Sequence, residues 1–272
     1  MIERYQYYAS TIGVSGRITE PFDEIIPVQT PLVLPESGGF ATARADHFDF
    51  RGIVSFETAE ALVSGSFSDK DKAFSLTSTV TITGLNILSV VTADRVVARI
   101  ASKCPIDPAE APSITPLGSY YDNLRIAGRR VELDLAIDTF TKFNNAARMR
   151  AAYKENQEGF RDKFDKLTLL GRTDVASRLC KYFPDIARQG ARPIEQSQGV
   201  IACSLVNEIR DLPYGLQAVG HLVHVPDFGI IRLAEYTVTD SEHSINMLQV
   251  DLGCSPSGNA GGPVAGGGGW GG

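Results

Sequence analysis

Long apolar runs are missing from this chain. No stretch approaches the ~18 uninterrupted apolar residues that a membrane helix needs. The basic start and compact apolar run of a secretory signal are missing too, because Met1-Ile2-Glu3-Arg4-Tyr5 leads into alternating polar and aromatic residues. A cytoplasmic location is therefore expected, with signal-independent export remaining open. Cysteine is scarce and scattered: Cys104, Cys180, Cys203 and Cys254 form no C-x-x-C or C-x-x-H pair. That spacing speaks against a zinc or redox site and for four small, mostly buried thiols. Phosphate-loop, Rossmann and nucleophile-elbow patterns are absent, and only His47, His221, His224 and His243 could serve as an imidazole base. The chain carries a net −6 charge, which excludes general nucleic-acid binding. No cofactor and no metal is expected.

What is present is alternation. From Phe74 to Thr83, Phe74, Leu76, Val80 and Ile82 share one face and Ser75, Thr77, Thr79, Thr81 and Thr83 the other, the period of a half-buried strand. Residues 40–68 read as two strands after a Gly38-Gly39 turn. Gly84 interrupts the pattern, and Ile87–Ile100 reads as further strand. Leu124–Leu133 reads as a hairpin turning near Gly128. Pro21, Pro27, Pro31 and Pro35 exclude helix from the N-terminal segments and suit edge strands or wrapping arms. Prolines at 105, 108, 112 and 116 predict a loop over 104–116. Strands resume over 199–206, 221–225, 230–238 and 245–252.

Between about 142 and 188 the period changes. Ala146, Ala147, Arg150 and Ala151 favour helix, and Phe160, Phe164 and Leu167 recur at i, i+4 and i+7, one buried helical face. Thr173 is a candidate N-cap for a further helix bearing Val175, Leu179 and Phe183. Strands on both sides make this an insertion in one sheet system. The expected fold is mainly β, an antiparallel sandwich or barrel over 1–254 with a short helical insertion, followed by a Gly-rich, flexible C-terminal tail over 255–272.

The inserted helices hold 11 basic residues against six acidic ones, a local +5; with −6 in total, the rest carries −11. Arg148, Arg150, Arg161 and Lys163 are thus candidate docking residues, with Trp270 as a tail anchor. A second candidate site is the acidic stripe Glu132, Asp134 and Asp138, opposite Val131, Leu133, Leu135 and Ile137. Such carboxylates suit glycoside hydrolysis or calcium, while the plainer reading is a wet strand face. His221, His224 and Asp227 could bind zinc only if a bulge brought them together, since residues three apart on a strand face opposite ways.

Three stretches carry a resemblance. They are Gly84-Leu85-Asn86-Ile87-Leu88 running into Val91-Thr92-Ala93-Asp94-Arg95-Val96-Val97, then Gly118-Ser119-Tyr120-Tyr121-Asp122-Asn123-Leu124-Arg125-Ile126-Ala127-Gly128, and Ile245–Cys254. Together, about a fifth of the chain, they resemble a group of uncharacterised bacterial β-rich proteins. The first two are also similar to strand motifs of the bacterial surface proteins called choice-of-anchor P. The resemblance implies a bacterial source and an all-β body, and supplies no catalytic residues.

The function expected from these features is non-enzymatic: a structural or binding protein that self-associates into an oligomer or filament by strand addition and charge complementarity. The expected partner is the chain itself, or another protein of a larger assembly. The alternative is a hydrolase or a carbohydrate- or calcium-binding module using the acidic stripe.

Overall fold

The computed structural model describes residues 5–18, 23–107, 109–167, 181, 183, 200–240, 242–252, 259–261 and 264–267. It is mainly β, with antiparallel sheets and few short helices, as the alternation predicts. Short strands come first: β1 (Ala9–Ile12), β2 (Ser15–Ile18), β3 (Glu24–Ile26) and β4 (Leu32–Val33). Four long ones follow: β5 (Gly39–Phe50), β6 (Val54–Ser68), β7 (Ala73–Ile87) and β8 (Val91–Pro105). Next are β9 (Ser113–Thr115), β10 (Tyr120–Asp122), β11 (Arg125–Ile126), β12 (Arg129–Arg130) and β13 (Glu132–Leu135). Helices α1 (Ile137–Lys142), α2 (Ala146–Glu155) and α3 (Phe160–Leu167) precede β14 (Ile201–Ser204), β15 (Val206–Arg210) and β16 (Gln217–Val219). The chain then runs through β17 (Leu222–Val225), β18 (Gly229–Val238), β19 (His243–Leu252), β20 (Asn259–Gly261) and β21 (Val264–Gly267).

One sheet is a meander in the order β12-β11-β8-β7-β6-β5, with β9 and β10 also on β8. The second runs β16-β17-β18-β19-β20-β2-β3, with β14 on β18, β4 on β1, and β21 pairing both β1 and β19. A separate pair joins β13 to β15. The large sheets meet where β1, β19 and β21 pack on β6, β7 and β8.

The burial of β7 follows its sequence. Leu76, Val80 and Ile82 are buried while Thr77, Thr79, Thr81 and Thr83 are half-buried on the other face; Ser78 joins the buried row. Gly84 does not end the strand as its sequence position suggested. It takes φ +63 where a Cβ would lie 2.5 Å from Cγ of Glu57, so glycine lets pairing resume at Leu85 and continue to Ile87. The predicted loop at 104–116 is shorter than expected too. β8 extends to Pro105, and β9 pairs with Ala101–Lys103, leaving the described prolines at strand ends where a missing N–H costs least.

The helices begin at Ile137, earlier than the change of period suggested. Asn145 caps α2, its side chain accepting from Arg148 N at 2.8 Å. Phe160, Phe164 and Leu167 are all buried, as their spacing predicts. Phe183 is buried; Thr173, Val175 and Leu179 lie outside the described residues.

Two parts of the Gly-rich tail are described, both as strands. β21 lies between β1 and β19, and β20 between β2 and β19. Ladder hydrogen bonds use only main-chain groups, so segments of mostly Gly and Ala, with one Asn and one Val, can fill a slot between two strands. The proline-punctuated N-terminal strands likewise pair within the chain's own sheet. Trp270 lies outside the described residues.

Candidate functional site

The hairpin β11–β12 turns at Ala127-Gly128, both with positive φ, and returns the chain beside β10. Pairing of β13 with β15 carries the next segment away from the meander. Between these diverging strands lies a half-open cleft of about 370 Å3. Its walls are Ser119, Tyr120, Tyr121, Asn123, Leu124, Arg130, Val131, Glu132, Leu133 and Leu135. Leu124 and Val131 are buried, whereas Tyr120, Arg130 and Glu132 are exposed.

The polar groups differ in what they have left to offer. Ser119 Oγ is committed, accepting from Arg99 N at 2.9 Å and donating to Arg99 O at 3.1 Å. Asn123 donates through Nδ2 to Asp94 at 3.0 Å, which leaves its amide oxygen as an acceptor. Arg130 and Glu132 approach to 3.7 Å with 64% and 52% of their side chains exposed, a loose pair that keeps most of its hydrogen-bonding capacity. Tyr121 reaches the other way, donating its hydroxyl to the Met247 carbonyl. That carbonyl is available because Ala234 (φ 48) and Met247 stand unpaired between Leu233↔Leu248 and Glu235↔Asn246. Burial, reinforced by the charge of Glu235, pushes the Tyr121 phenol well above its usual range and keeps it a donor.

Beyond Tyr121 lies a polar network. Glu235 sits 3.5 Å from His221 Nε2 and 3.6 Å from Arg232, and Arg232 reaches Asp251 at 3.0 Å. Burial raises the Glu235 carboxyl, but hydrogen bonds and charge from His221 and Arg232 outweigh it and hold the group below the usual range. Gln249 donates to Asp251 and Asn246 to Gln249. Elsewhere in the same sheet, Tyr236 Oη and His243 Nδ1 are 2.5 Å apart in the core. Burial lowers His243 to about 4 and raises Tyr236, so a neutral imidazole accepts from a protonated phenol.

Of the acidic stripe, only Glu132 lines the cleft. Asp134 accepts from Asn207 at 2.6 Å on the β13–β15 pair. Asp138 is not on the strand at all; it lies in the first turn of α1, where an acid favours the helix dipole. The alternation that placed the three on one face holds for four residues and stops at Ala136, whose N–H bonds Leu205 O and turns the chain into helix. Among the described residues no three His, Cys, Asp or Glu side chains are grouped to hold a metal ion, and His221, His224 and Asp227 do not converge.

The docking cations are largely engaged within the chain. Arg150 pairs with Asp240 at 2.6 Å, tying α2 to the β18–β19 turn. Arg161 donates to the Tyr153 and Lys154 carbonyls at the end of α2, 3.0 and 2.6 Å away, and lies over the Tyr153 ring. Arg148 bonds the Asn144 side chain, while Lys163 is exposed. Sequence reasoning passed over Tyr120, Asn123 and Arg130, because the cleft depends on pairings no local pattern encodes.

Residues 5–239 match the family described as a domain of unknown function (DUF8256). The chain belongs to that family. The match runs from the N-terminal arm to the turn after β18 and so takes in the whole cleft. No curated protein and no solved structure matches the chain. Among the described residues no helix is long and apolar enough to cross a membrane.

Proposed function

We propose that this chain is a non-enzymatic structural or binding protein that self-associates through a sheet edge. The observation that carries this reading is β5, a 12-residue strand that pairs with β6 on one side and with no described strand on the other. Such an edge offers a row of main-chain donors and acceptors to another strand. Its halves differ. Beyond Arg44 the edge is guarded by the ion group Arg44, Asp46 and Glu60 and is interrupted by the left-handed backbone at His47 (φ 54), where the β5–β6 ladder skips one pair. The Gly39–Ala43 half carries no charge and holds Phe40, 77% exposed, with Leu62, 41% exposed, opposite Thr42 on the neighbouring strand. Val33, 64% exposed on β4, lies beside it. A second copy is the fitting occupant: antiparallel pairing centred on Ala41 stays within the uncharged Gly39–Ala43 half and sets Phe40 of one copy opposite Thr42 of the other, on the same face as Leu62. The −11 body and +5 helices also favour contact between copies.

The hydrolase and calcium forms of the alternative have little to stand on. Glycoside hydrolysis uses two carboxylates about 5–9.5 Å apart across the substrate, and among the described residues Glu132 is the sole carboxylate in the cleft lining.

Light scattering of the wild-type chain and a Phe40→Asp, Leu62→Lys double variant tests the proposal. The wild type is expected to show a dimer or larger species, and the variant a monomer whose circular dichroism stays native and whose midpoint matches that of the dilute, dissociated wild type, because both side chains are exposed. A monomeric wild type at about 100 μM, a concentration at which even a weak interface of order −5 to −6 kcal/mol would show, rejects self-association.

A further inference from the structure

We infer that the cleft between β10–β12 and β13 binds an uncharged, hydroxyl-rich ligand, a neutral glycan segment of one or two sugar rings. The inference does not rest on self-association. Four features of the cleft point to that chemistry. Its volume of about 370 Å3 lies at the lower end of the range for small-molecule sites. Its half-open form suits a segment of a chain lying along the surface more than an enclosed metabolite. Tyr120, 40% exposed, offers an aromatic face, and Leu124 and Val131 supply an apolar floor, together a surface for the C–H face of a pyranose.

The polar groups are the fourth feature. Asn123 has a free amide oxygen, Arg130 a fork of donors, and Glu132 a pair of acceptors. Together they present acceptors beside a fork of donors, which matches adjacent hydroxyls that donate and accept at once. Arg130 and Glu132 stand 3.7 Å apart, so the wall they form has no net charge. An anionic ligand would meet Glu132 and a cationic one Arg130; a neutral polyol uses both. Tyr121, with its hydroxyl turned inward to Met247, keeps the floor rigid.

Isothermal titration of the full-length chain with cellohexaose, maltohexaose, mannohexaose and chitohexaose, and with a galacturonate oligomer, tests the inference. At least one neutral oligomer is expected to bind with about 1:1 stoichiometry and roughly millimolar to micromolar affinity. Tyr120→Ala is expected to weaken it by about tenfold or more, and Glu132→Gln by about three- to tenfold. Both residues are exposed at the cleft, so thermal midpoints should stay near the wild type and separate lost binding from lost folding. No heat from any neutral oligomer at several millimolar overturns the inference. So does full binding by a folded Tyr120→Ala variant, or tighter binding of the galacturonate oligomer than of every neutral one.

Discussion

The two large sheets are built on different terms. The meander takes four successive strands of 12 to 15 residues, joined by short turns, so every major pairing is between neighbours in sequence. The other sheet joins strands from the two ends of the chain: β21 pairs with β1, and β20 with β2. Several of its members span two to four residues. The meander holds itself together by alternate burial along each strand. This second sheet depends on its two ten-residue strands, β18 and β19, against which the short segments assemble. Loop-closure entropy is lost before such long-range pairs form, so the second sheet leans more on each fixed point of its central strands.

The largest expected effect tests that dependence at a pair of glycines. Gly229 opens β18 at φ +145, and a Cβ there would lie 2.0 Å from the Asp251 carbonyl oxygen, which belongs to the backbone of β19 and cannot swing aside. Gly229→Ala is expected to cost roughly 4 kcal/mol or more. Gly65 in the meander has ordinary φ, and its Cβ would meet the Tyr7 ring at 2.5 Å and Leu34 at 2.8 Å, both side chains. Gly65→Ala should cost roughly 1–3 kcal/mol, because those side chains can shift. Urea denaturation of both variants measures the difference, and equal losses would remove the distinction drawn between the sheets.

Acid should attack the second sheet next. His243 is buried and its folded value is about 4, against 6.5 unfolded. Between those values the unfolded chain binds the extra proton, so stability falls as pH drops from about 6.5 to 4, by roughly 3 kcal/mol. Glu235, held below the usual carboxylate range by His221 and Arg232, adds to this: its contribution begins to fade as pH falls past the unfolded carboxylate value of about 4.5 and is lost through its lower folded value. Thermal midpoints from pH 8 to 4 check this, and a Tyr236→Phe, His243→Leu variant should flatten the slope above pH 4. An unchanged slope in a folded variant would place the acid sensitivity elsewhere.

The smallest effects belong to the helices. Asn145→Ala removes the α2 cap and should cost about 1 kcal/mol. Arg150→Ala breaks a contact with a mostly exposed Asp240 and should cost about 0.5 kcal/mol or less. Paired chemical denaturation curves measure both; the reverse ranking would mean that the link from α2 to the β18–β19 turn, more than the cap, fixes the helix.

The legible parts of the fold share a cause. β6, β7 and the Phe160–Leu167 face repeat a period within a few residues, and burial on one side then selects strand or helix. Asp138 shows where the method fails: its alternation with Ile137 persists on paper, yet the Ala136–Leu205 hydrogen bond has already turned the chain into α1. Of the candidate site, Glu132 was legible as an exposed acid. Tyr120, Asn123 and Arg130 were not, since each is an ordinary surface residue until β8 gathers β10 and β11 and β15 draws β13 away.

By itself the sequence determined the β class, the buried Phe160–Leu167 helical face and the hairpin at Gly128, because these follow from period and turn chemistry acting over about ten residues, whereas the start of the helices at Ile137 lay outside its reach. Tertiary structure alone decided that the described tail strands complete the chain's own sheet, that Arg150 and Arg161 are engaged within the fold, and that a cleft opens beside Glu132. Those outcomes turn on main-chain hydrogen bonds between distant segments, and the main chain is the part of the molecule that side-chain sequence describes least.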